Sequence, residues 1–79
     1  MKQITLNQNP NFTVNEVVQL INRPVIRHDR TAEFKPENIG LIVGVLTLND
    51  EVEMVVKFID RVTQFTKTEF AASYRVIKD

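Results

Sequence analysis

Residues 39–48, Ile-Gly-Leu-Ile-Val-Gly-Val-Leu-Thr-Leu, form the segment that most limits how this chain folds, because it is apolar in both alternating phases. A strand wetted on one side alternates polar and apolar side chains, whereas a run that is apolar throughout needs cover on both faces. The run is about half the length of a bilayer span, so protein must supply that cover. Leu41, Val43 and Val45 fall in one phase, and Ile42, Leu46 and Leu48 in the other. If helices coat only one face of the sheet, one of these rows is left for another partner. Gly40 and Gly44 have the spacing of a membrane dimer motif in a segment too short to span, and they are read as close-approach positions in a strand.

The flanking segments supply the rest of the layers. Residues 2–6 alternate, with Ile4 and Leu6 in one phase, and predict a strand. Asn7-Gln8-Asn9-Pro10-Asn11 is turn-forming. Thr13 and Glu16 stand at the spacing of a capping box, with Phe12 and Val17 as the matching hydrophobic staple. A helix is therefore predicted over residues 14–22, stopped by Pro24. Pro24-Val25-Ile26-Arg27-His28 reads as a short edge strand, because proline suits an edge or a strand start. Residues 29–38 are polar, mixed in charge and contain Pro36, as in a solvated loop.

Two interpretations compete after Asn49-Asp50. The pair fits a two-residue turn into Glu51-Val52-Glu53-Met54, which alternates. Polar residues at Asp50, Glu53, Lys57, Asp60, Arg61, Gln64 and Lys67, opposite Val52, Val55, Val56, Ile59 and Val62, instead fit a helical period. The longer pattern favours a helix over residues 50–66, with Asp50 as its cap and Glu51 and Glu53 in its first turn. Residues 69–78 mix helical and strand signals and are assigned to a closing strand.

The predicted order β-α-β-β-α-β is the split-βαβ, ferredoxin-like arrangement: an α+β fold with an antiparallel sheet and two helices on one face. A chain of 79 residues makes one small domain, residues 1–79. The uncovered apolar row predicts a homodimer packed sheet to sheet, with Leu41, Val43 and Val45 as the expected interface. A third helix formed by the C-terminal segment is the competing way to cover that face.

Composition narrows the chemistry. With no Cys, the chain holds no disulfide framework, thiolate metal site or cysteine nucleophile, and a cytoplasmic location is expected. The N-terminus lacks the apolar core of a signal peptide, and no membrane insertion is expected. Ten Lys and Arg balance ten Asp and Glu, so the broad field of a non-specific nucleic-acid binder is missing. No metal or cofactor is expected, because the acidic residues of 29–37 alternate with cations. His28 beside Asp29 is the only pair resembling an acid–base couple, but neighbours on a strand point to opposite faces.

The densest basic stretch is the best candidate contact for a partner: Arg23, Arg27, His28, Arg30 and Lys35, with Phe34 as an aromatic anchor among them. The function expected is a non-enzymatic protein-interaction module. It would be a homodimeric accessory inhibitor or adaptor, of the kind found in phages and mobile elements, that binds a larger protein partner. The alternative is a nucleic-acid-binding regulator using the same basic residues. The aromatics that an RNA-binding sheet displays are missing from residues 3–6 and 40–48. A small-ligand sensor is the third expectation.

Overall fold

The computed structural model describes residues 2–28 and 35–78. In chain order the elements are β1 (Gln3–Ile4), α1 (Val14–Leu20), β2 (Pro24–Arg27), a 3-10 turn (Pro36–Asn38), β3 (Ile39–Leu48), β4 (Glu51–Lys57), β5 (Val62–Phe65), α2 (Lys67–Ser73) and β6 (Tyr74–Ile77). The strands form one six-stranded sheet in the order β1-β6-β2-β3-β4-β5. Every neighbouring pair is antiparallel.

Helix α1 starts where Thr13 Oγ1 accepts the Glu16 amide at 3.1 Å. Phe12 and Val17 are both buried beside that cap, as the staple requires. The chain leaves the helix through Asn22, whose φ of 74° is a left-handed value that asparagine tolerates.

Residues 50–66 are not a helix. They are the second arm of a hairpin with β3, followed by a tight turn and β5. Asn49 and Asp50 have φ of 52° and 64°, left-handed at both central positions, as a two-residue hairpin turn demands. Alternation overrides the helical period here: Met54, Val56 and Phe58 recur every second residue and are all buried. The helical pattern left Met54 and Phe58 off its apolar stripe, and the Val- and Thr-rich composition is poor helix material. At the far end of β4 the Phe58 amide donates to the Arg61 carbonyl at 2.7 Å, which closes the turn into β5.

The split-βαβ order is corrected accordingly. A hairpin strand and a further edge strand stand where the second helix was expected. The second helix is a short one, connecting β5 at one edge to β6 near the other. Thr66 and Glu69 give it a capping box: the Glu69 amide donates to Thr66 Oγ1 at 3.3 Å and the Thr66 amide to Glu69 Oε1 at 2.9 Å. β2 is an interior strand between β6 and β3, not an edge, and Pro24 is accommodated at its first position. The α+β class and the antiparallel sheet stand, and the closing strand is confined to Tyr74–Ile77, because residues 69–73, assigned to it, belong to α2.

Both helices pack on one face. Val17 and Leu20 of α1 and Phe70 of α2 share a core with Val25, Ile42, Met54, Val56, Tyr74 and Val76. Phe70 is the hub of its aromatic part, with ring centroids 5.9 Å from Tyr74, 6.0 Å from Phe65 and 6.3 Å from Phe12. Such tilted and offset pairs contribute about 0.5–1.5 kcal/mol each beyond the area they bury.

Candidate functional site

Strand register decides which side chains the helices leave uncovered. β3 and β4 pair Leu41 with Lys57, Ile42 with Val56, then Gly44 with Val55, Val45 with Met54, Leu46 with Glu53 and Leu48 with Glu51. The slip between Ile42 and Gly44 is a β-bulge that inserts Val43 as an extra residue. It shifts the phase of the strand by one. Before the bulge, odd-numbered residues face away from the helices, and after it even-numbered ones do.

The outward face of β3 therefore carries Ile39, Leu41, Val43, Leu46 and Leu48, all exposed, with Leu48 at 51%. Val45 turns inward and packs against the core. Of the residues expected at a dimer interface, Leu41 and Val43 lie on the outward face and Val45 does not. Strict alternation assigned Val45 to that row; the one hint of the bulge in residues 39–48 is Gly44 beside it, since a glycine inside a strand marks either a bulge or a close approach. Leu46 and Leu48, assigned to the opposite row, join the outward one.

Across the sheet the outward row continues through Val55 of β4 to Val62 of β5, which is 61% exposed. On the other side of β3, Ile26 and Ile77 share this face by register but are buried. The open apolar area thus runs from β3 to β5. Among the described strand residues on this face, the charged ones are Glu51, Glu53, Lys57 and Arg75. The two acids of β4 sit toward the hairpin turn and Lys57 at the opposite end of the strand.

The two glycines of β3 differ. A Cβ on Gly40 would come within 2.7 Å of Val56 Cγ1 and 2.9 Å of the Phe58 ring, so the monomer itself requires glycine there. A Cβ on Gly44 would meet only Val55 Cβ at 4.0 Å, and neither glycine has a positive φ. Nothing within the described chain demands a glycine at position 44.

Among the described residues of the basic stretch, Arg23 and His28 each bond to backbone carbonyls of the C-terminal part of the chain. Arg23 Nη1 donates to the Lys78 carbonyl at 2.8 Å, tying the start of β2 to the C-terminal segment. The His28 amide donates to the Ser73 carbonyl at 2.9 Å, and its Nε2 to the Ala71 carbonyl at 3.2 Å. That imidazole fastens the end of β2 to the end of α2. Arg27 is exposed at the end of β2 and Lys35 is exposed before the 3-10 turn. Arg30 and Phe34, like Asp29, lie outside the described residues.

A polar cluster that the linear sequence does not reveal joins the two helices. Lys67 Nζ lies 3.0 Å and 3.2 Å from the two carboxylate oxygens of Glu16, and also bonds Asn7 Oδ1. Glu16 Oε2 accepts the Asn7 amide at 3.2 Å. A cleft beside this cluster, of about 300 Å³, lies between residues 4–7 and α1, with Asn15, Glu16 and Gln19 on its helical wall. Both oxygens of its one carboxylate are already engaged, so the cleft presents no ready acid–base pair.

No group of His, Asp and Glu with metal-binding geometry occurs among the described residues. No described helix is long and apolar enough to cross a membrane. No family model, curated protein or solved structure matches the chain.

Proposed function

We propose that this protein is a non-enzymatic protein-interaction module that self-associates through the outward face of its sheet. The observation that carries this reading is the row Ile39, Leu41, Val43, Leu46 and Leu48, extended by Val62, exposed on the side opposite both helices. Contiguous exposed aliphatic surface of this kind marks an interaction site, and a domain this small gains stability by association. In this proposal the homodimer acts as an accessory inhibitor or adaptor. It meets a larger protein at the β2 end, around Arg27, His28 and Lys35.

Sedimentation velocity at tens of micromolar tests the first step. The expected result is a dimer that Leu41→Lys and Leu46→Lys each convert to monomer. A wild-type monomer at those concentrations overturns the proposal.

A further inference from the structure

We infer that the outward face receives a second copy of this chain across a two-fold axis lying between the two sheets, perpendicular to the strands and passing over Val55. This rests on the proposed self-association and specifies its geometry. Two independent features point to it.

The first is the charge pattern of β4. Glu53, Val55 and Lys57 share the outward face, paired with Leu46, Gly44 and Leu41. Alternate residues of a strand lie roughly 7 Å apart, so the acid and the amine stand at equal distances on either side of Val55. Rotation about the stated axis reverses the strand direction and lays β4 over its own copy. Glu53 then faces Lys57 of the partner subunit, and the reciprocal pair forms by symmetry. The same rotation sets Leu41 over Leu46 and Ile39 over Leu48, so the apolar row of β3 is matched as well. A two-fold axis along the strands keeps their direction and stacks the acidic ends on each other, which electrostatics disfavours. Packed sheets stand about 10 Å apart at an angle of about 30°, a gap that a glutamate and a lysine span together.

The second is Gly44. It pairs with Val55 at the level of the axis, its φ is open to any residue, and among the described residues only Val55 Cβ, at 4.0 Å, lies near where its own Cβ would stand. A β-branched residue would serve an isolated strand better at this position. Glycine is accounted for when another surface approaches closely there. Gly40, four positions earlier on the same strand, is explained by Val56 and Phe58 of the same chain.

Sedimentation equilibrium on the full chain tests the geometry, with circular dichroism confirming that each variant is folded. Glu53→Lys and Lys57→Glu should each weaken the dimer about tenfold or more, and the double exchange should restore it to within about threefold. Gly44→Val should leave the melting temperature of the dilute protein unchanged or higher and weaken the dimer by about tenfold. A dimer indifferent to the single reversals, or a double exchange no tighter than the singles, overturns this axis while leaving self-association intact. A wild-type monomer at tens of micromolar removes self-association itself.

Discussion

Lys67 and Glu16, 51 positions apart, form an ion pair at 3.0 Å whose side chains keep only 7% and 11% of their surface exposed. Lys67 is the first residue of α2 and Glu16 lies in the first turn of α1, so one bond locks the two helices over the sheet. The Lys67 ammonium also lies 5.7 Å from the centroid of the Phe12 ring, which adds a cation–π attraction. Removing one member of such a pair strands the other charge. Lys67→Met is expected to lower stability by about 3 kcal/mol, and adding Glu16→Gln to recover part of that loss. Urea unfolding monitored by circular dichroism measures both.

The bulge in β3 separates the adjacent Val45 and Leu46 in their effect. Val45→Lys forces an ammonium toward Met54 and the core and should cost about 2 kcal/mol or more. Leu46→Lys places the same group in water and should change the stability of the monomer by less than about 0.5 kcal/mol. Thermal melts at low protein concentration, where association does not contribute, distinguish the two. Equal losses would place the bulge elsewhere.

Gly40→Ala should destabilise by about 1–3 kcal/mol, because the new methyl meets Val56 Cγ1 at 2.7 Å inside a packed core. The neighbours are a β-branched side chain and an aromatic ring on β4 and its end, neither of which yields without moving its strand. Combining Gly40→Ala with Val56→Ala should return part of the loss, read from the midpoint of a guanidinium titration.

At the β3–β4 turn, Asn49 and Asp50 both hold left-handed backbone angles. Asp50→Gly supplies the residue that pays least for φ of 64° and should raise stability by about 0.5 kcal/mol, the gain being reduced by the greater freedom of glycine in the unfolded chain. Asp50→Val should lower it by about 1 kcal/mol or more. The melting temperature of each variant against that of the native protein measures these two changes.

Local chemistry made parts of this fold legible in advance. Thr13 with Glu16, and Phe12 with Val17, marked the start of α1 because a cap and a staple are satisfied within a few residues. Asn49-Asp50 signalled a turn, yet the longer helical period of residues 50–66 outweighed it. The deciding evidence lay in Met54, Val56 and Phe58, whose two-residue spacing matters only against β3 and the helices. Thr66-Lys67-Thr68-Glu69 carried the signature of a capping box and passed unnoticed at the junction between the helix assigned to residues 50–66 and the strand assigned to residues 69–78.

The doubly apolar run of residues 39–48 marked, without further information, a strand with apolar side chains on both faces. Which residues lie on each face was decided by tertiary structure alone. Strand pairing with β4 placed the bulge at Val43, and the bulge exchanged the rows, sending Val45 inward and Leu46 outward. A pairing slip is a property of two strands together, so one strand's sequence does not encode it locally. The Lys67–Glu16 pair and the interior position of β2 have the same origin: each depends on segments far apart in the chain that meet only when the whole sheet has formed.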